Sequence, residues 1–99
     1  MAGRKKIVWS EKARNDLLTI LDFYYQRNGN ASYSRKIYTR IKKDLSLLSA
    51  HTFLGKPTDH EGIRVIVVMD YLVFYQLLPD SIYIINIWDS RRNPDDLKT

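Results

Sequence analysis

Two apolar rhythms run along the chain, and the points where one gives way to the other mark out its elements. Ala13, Leu17, Ile20, Leu21 and Tyr24 recur at helical spacing. Ser10 precedes them as an N-cap whose hydroxyl can accept a backbone N–H, Glu11 stands in the first turn, and Asn28-Gly29-Asn30 closes the pattern. The spacing predicts a helix over Glu11 to Arg27. A second helical rhythm follows at once through Tyr33, Ile37, Ile41, Leu45 and Leu48, with Lys36, Arg40 and Lys43 on another face. So short a connection folds the two helices into an antiparallel hairpin.

Elsewhere the rhythm is that of strands. Lys5 to Trp9 alternates weakly into Ser10. Ile63 to Met69 and Leu72 to Leu78 are rich in Val, Ile, Tyr and Phe and hinge at Asp70-Tyr71. Pro79-Asp80-Ser81 then turns the chain into a last apolar run, Ile82 to Trp88, which ends abruptly at Asp89-Ser90-Arg91-Arg92-Asn93-Pro94. Near-continuous apolar character predicts a core strand there. His51 to Gly62 carries Gly55, Pro57 and Gly62 with no periodicity and is predicted as a loop, and the short polar tail from Asn93 is expected to be poorly ordered.

The order strand, helix, helix and three strands predicts one α+β domain over residues 1–99, a small antiparallel-rich sheet packed by an N-terminal helical hairpin (β-α-α-β-β-β). If strand one runs up and the hairpin returns to its start, the later strands run down, up and down. Tyr71 and Leu72 then share the sheet end at which Arg91 and Arg92 emerge. Arg64 is displaced from that end by roughly 15–20 Å, at ~3.3 Å per residue.

Composition narrows the function classes. Cysteine is absent, so disulfides and thiolate metal sites are excluded, and His51 and His60 alone give no zinc pattern. No metal or cofactor is expected: no Gly-rich phosphate loop and no G-x-S-x-G elbow occurs. No apolar run approaches the ~20 residues that cross a bilayer, and a cytoplasmic protein without a membrane partner is expected. A net charge of +5 and a pI of about 9.6 point to an anionic partner.

Arg91 and Arg92 are the first candidates for holding phosphate, since guanidinium is always charged and offers a planar fork of donors; as the solvated start of a tail they would hold nothing. Metal-free RNA cleavage needs a proton acceptor, cations on the phosphorane and a donor to the leaving oxygen. Arg91, Arg92 and Arg64 could supply charge, and Lys56, His60 and Asp89 could move protons. Tyr71, Tyr75 and Trp88 could stack bases, or serve as core.

Trp9-Ser10-Glu11-Lys12-Ala13 leading to Asp16-Leu17, Tyr71-Leu72-Val73-Phe74-Tyr75, and the run from Ile85 through Arg91-Arg92-Asn93-Pro94 to Leu97 resemble the RelE/ParE toxins of bacterial type II toxin-antitoxin modules. The resemblance covers nearly the whole chain and implies the fold reached from periodicity. It implies as partners a cognate antitoxin, which alone contacts operator DNA, and a cellular target. RelE-like members cut mRNA on the ribosome, and ParE-like members poison DNA gyrase. Leu72 stands where nuclease members commonly carry arginine, and Asp89 where many carry histidine. The cationic rim on a basic domain tilts the sequence reading to a toxin that inhibits translation by ribosome-dependent mRNA cleavage. A gyrase inhibitor and a plain nucleic-acid-binding module are the alternatives. The catalytic set expected for cleavage is Arg91, Arg92, Arg64, Lys56 and Asp89, with Tyr71, Trp88 and His60 binding substrate.

Overall fold

The computed structural model describes residues 4–91. Its elements are β1 (Lys6–Trp9), α1 (Glu11–Asn28), α2 (Ser32–Ala50), β2 (Lys56–Pro57), β3 (Ile63–Val68), β4 (Tyr71–Leu77) and β5 (Ser81–Asp89). The fold is α+β, with one five-stranded sheet in the order β1-β5-β4-β3-β2. The helical hairpin packs on one face of it. The expectation for the tail from Asn93 lies outside the described residues.

Local chemistry starts and stops α1 as the sequence predicts. The Ala13 N–H donates to Ser10 Oγ at 2.9 Å, and that hydroxyl donates in turn to the Ile85 carbonyl at 2.8 Å, so one serine caps α1 and pins it to β5. Gly29 ends α1 in the left-handed region, at φ 72°, and donates to the Tyr25 carbonyl. A side chain at that φ would be strained. Ser34 Oγ donates to the Leu21 carbonyl at 2.6 Å, and the Tyr24 and Tyr33 rings meet edge-on at 4.7 Å, which fixes the hairpin.

Ala13 and Leu17 of α1 and Ile37, Ile41, Leu45 and Leu48 of α2 pack on Ile66 and Val68 of β3, on Tyr71, Val73 and Tyr75 of β4, and on Ile82, Ile84 and Ile87 of β5. Each large aliphatic side chain buried there contributes about 1.5–3 kcal/mol of hydrophobic stabilisation.

The structure corrects three expectations. First, β1 runs parallel to β5, with Lys6 opposite Ser81 and Trp9 opposite Ile84, so every later strand is reversed relative to the expected direction. The cause is the path of α1. Ser10 meets Ile84 and Ile85, Asp16 meets Ile87 and Tyr24 meets Arg91, so the helix advances along β5. The return along α2 brings Ser49 to the start of β1, where the Lys5 N–H donates to its carbonyl.

Second, the segment predicted as an unstructured loop contains β2, whose Lys56 and Pro57 pair antiparallel with Val65 and Arg64 and carry the chain back to the start of β3. Two residues leave no periodicity to read. Third, β5 is not covered on both faces. Its buried positions alternate, and a bulge shifts the alternation: Tyr75 is opposite Ile84 but Phe74 is opposite Asn86, leaving Ile85 as the extra residue. The shift lets Ile82, Ile84 and Ile87 all face the helices.

Beyond Trp9 the β1 side of β5 has no strand partner among the described residues. Asp16 fills that role for one group, its Oδ2 accepting the Ile87 N–H at 3.0 Å. A strand edge is thus closed by a helix side chain.

Candidate functional site

Tyr71 opens β4 directly opposite Asp89, which closes β5, and the two-residue turn before Tyr71 brings Asp70 alongside. Met69 adopts a positive φ of 58° in that turn, a conformation uncommon outside glycine. Ser90 then fastens the end of β5 to the turn, its N–H and its hydroxyl both donating to the Asp70 carbonyl at 2.8 Å. Arg91 is therefore held in place rather than trailing from the fold.

The guanidinium of Arg91 is already engaged. Its Nε and Nη2 donate to the two oxygens of Asp89 at 2.9 and 2.8 Å, a bidentate fork, and Nη1 lies 3.9 Å from Asp70 Oδ2. Nη2 also donates to the Tyr24 hydroxyl at 3.1 Å. Asp89 and then Tyr24 raise the pKa of Arg91, which stays charged at every accessible pH. In return Arg91 lowers the pKa of Tyr24, with a hydrogen bond to Tyr71 as the next cause, while burial, and then the Tyr24 hydroxyl, raise that of Tyr71. The two tyrosines are pushed apart because Arg91 donates to the hydroxyl of one while burial dominates at the other.

Beside this cluster lies a groove of about 490 Å³ lined by Asp16, Thr19, Ile20, Phe23, Tyr24, Arg27, Tyr71, Ile87, Asp89 and Arg91. Phe23 is half exposed on its wall. The groove offers an aromatic and apolar surface between Arg27 and Arg91, which suits a protein or nucleic-acid surface rather than an enclosed small molecule.

The other sequence candidates are elsewhere. Arg64 sits opposite Tyr75, and its Nη2 donates to the carbonyls of Gly55 at 2.5 Å and Phe53 at 3.4 Å, with the guanidinium over the Phe53 ring at 5.1 Å. It is a clasp on the segment before β2. Lys56 is exposed on β2, and His60 is exposed in the turn after it. By strand geometry the positions of Arg64 and Lys56 lie roughly 16 and 17 Å from Asp89, counting ~3.3 Å per residue along strands and ~4.8 Å between them. Tyr71 is 3% exposed and faces the helices, whereas Trp88 pairs with Leu72 on the opposite sheet face. The two cannot form one stacking platform. Arg92 lies outside the described residues.

Of the expected set, the structure brings together Arg91, Asp89 and Tyr71. Sequence reasoning missed Tyr24, Asp70 and Arg27. Tyr24 was legible only as a helix-face residue, and its hydroxyl partner is 67 positions away.

A second groove, of about 610 Å³, runs between the hairpin and β1. Its apolar lining includes Ile7, Trp9, Leu17, Leu18 and Leu45, its cations are Arg4, Lys5, Arg14 and Lys42, and among the described residues no carboxylate lines it.

A profile described as "ParE toxin of type II toxin-antitoxin system, parDE" matches residues 7–94. The chain belongs to the ParE toxin family. Among solved structures, the fold of this ParE-family chain is similar to that in the "Chromosomal ParDE TA system from P. aeruginosa", at a TM-score of 0.75 and 22% identity over 89% of this chain and 98% of that one. It is also similar to a chain of the "E. coli DinJ-YafQ toxin-antitoxin complex", at 0.54 and 15% over 87% and 92%. Those likenesses concern the fold. No curated protein sequence matches.

Proposed function

We infer that this ParE-family toxin acts by binding its target rather than by cutting RNA, and that the target is DNA gyrase. The observation that carries the reading is the engagement of Arg91. A phosphorane-stabilising cation must aim its donors at the reacting oxygens, whereas three of the guanidinium nitrogens of Arg91 are directed at Asp89, Asp70 and Tyr24. Among the described residues no second cation converges on it from Arg64 or Lys56, both held more than about 15 Å away along and across the sheet. Leu72 and Asp89 occupy the places at which the nuclease relatives commonly carry arginine and histidine. This favours the gyrase alternative over the mRNA cleavage to which the sequence tilts.

The cognate antitoxin is the partner the family implies, and the groove beside β1 suits one of its segments. An amphipathic acidic helix would lay its apolar stripe on Trp9, Leu17 and Leu18 and match its carboxylates to Arg4, Arg14 and Lys42. The test is a supercoiling assay with purified gyrase and the full chain. Loss of supercoiling, reversed by adding the antitoxin, supports the reading. Full supercoiling at a large molar excess of toxin refutes it.

A further inference from the structure

The basic stripe on α2 takes no part in either groove described so far. Arg35, Lys36, Arg40 and Lys43 are all exposed, and with Ser32, Thr39 and Met69 they line a shallow depression of about 450 Å³ between α2 and the turn joining β3 to β4. Among the described residues no carboxylate lines it. Asp44, the one acidic residue of α2, holds Arg40 at 3.4 Å from outside the depression. The remaining cations repeat on one helix face over about 12 Å, at 1.5 Å rise per residue.

We propose that this face of α2 binds the phosphate backbone of duplex DNA without reading its sequence. A row of cations on a rigid helix can neutralise successive phosphates and release their counterions, which supplies sequence-independent affinity. The face has nothing with which to stack bases. Tyr33 packs edge-on to Tyr24, and Tyr38 lies under Lys42 in the groove beside β1. Single strands need such aromatic platforms, so their absence from this lining selects the duplex. The choice of DNA over RNA rests on the reading of the target as gyrase, an enzyme that holds duplex DNA. Toxin and target would then share one DNA segment.

The test is fluorescence anisotropy of a labelled 20-base-pair duplex of arbitrary sequence, titrated with the full chain made by cell-free synthesis, between 50 and 200 mM salt. Three cations with no ion pair among the described residues, Arg35, Lys36 and Lys43, give a slope of log affinity against log salt near −2.7, so affinity should fall about 40-fold across that range. The combined substitution R35Q, K36Q and K43Q should weaken binding at least tenfold and bring the slope above about −1. The combined substitution K6Q, K12Q and K56Q removes the same charge from elsewhere and should stay within twofold of the unmodified chain. Equal losses in the two variants, with unfolding midpoints unchanged, would assign the binding to net charge and overturn the proposal. So would tighter binding to a single strand or an RNA duplex of the same length, or no binding at 50 mM salt. Because gyrase is absent from this assay, its outcome is separate from that of the supercoiling assay.

Discussion

Removing one oxygen atom from Tyr75 should release the segment that leads into β2. Tyr75 is fully buried in β4, and its hydroxyl is a two-way tie: it donates to the Thr52 carbonyl at 3.2 Å and accepts the Gly55 N–H at 3.1 Å. Tyr75→Phe keeps the ring and loses both bonds. The bond to Thr52 contributes about 1 kcal/mol, and the Gly55 N–H, buried under the sheet, is left without its acceptor at a cost of about 1–3 kcal/mol, so a total of about 2–4 kcal/mol is expected. For a domain of this size that corresponds to a fall of roughly 10–20 °C in Tm. Thermal unfolding followed by circular dichroism measures it. Gly55→Ala provides the cross-check, because a Cβ there would lie 2.6 Å from the Tyr75 hydroxyl, 2.6 Å from the Val65 carbonyl and 2.8 Å from Ile66 Cγ2. It should cost at least as much. In the double variant the hydroxyl clash is gone, so the two losses should sum to less than their separate values. A Tm for Tyr75→Phe within 2 °C of the unmodified chain, or strict additivity of the pair, would show that the hydroxyl does not tie this segment to the sheet.

Three further outcomes follow from the same geometry. Ser10→Ala removes the cap of α1 and its bond to Ile85, and should cost about 1–2 kcal/mol in urea unfolding, with Ser10→Thr retaining most of it. Burial raises the pKa of Tyr71 above the ordinary 10.0, so folding resists its ionisation: the stability it contributes is complete below pH 10 and is lost as pH rises beyond. Tyr24 is lowered and works in the opposite sense, and with Arg91→Gln its ultraviolet titration should move back up while Tyr71→Phe flattens the alkaline fall in unfolding midpoint. Leu18→Asp places a carboxylate on an exposed wall of the cation-rimmed groove and should weaken antitoxin binding at least tenfold, read by calorimetry, with the unfolding midpoint moved by less than 2 °C.

The helices were legible in the sequence because their signals are local. The Ser10 cap, the Gly29 stop and the recurrence of Ala13, Leu17 and Ile20 each act within a few residues, and α1 ends one residue from its predicted limit. Strand direction was not legible, since it depends on how far α1 travels along β5, and that is set by contacts such as Asp16 with Ile87 across 71 positions. The bulge at Ile85 was hidden inside an unbroken apolar run, where either face would accept the next isoleucine. For the candidate site, Arg91 and Asp89 could be singled out as neighbours at one strand end. Their engagement with Asp70 and Tyr24 could not, because neither partner is near in sequence. Arg64 illustrates the converse. Its charge made it a candidate for phosphate, and only the structure shows the guanidinium spent on the carbonyls of Phe53 and Gly55.

The proposal that this ParE-family toxin stops DNA synthesis through gyrase, without cleaving messenger RNA, has a physiological readout. Inducing the chain alone in bacteria, and following thymidine and methionine incorporation separately while mapping mRNA ends, tests it most directly. Thymidine incorporation is expected to fall first, with methionine incorporation and message ends unchanged over the same interval. Prompt loss of methionine incorporation with new in-frame cuts in mRNA, abolished by Arg91→Ala, would contradict it.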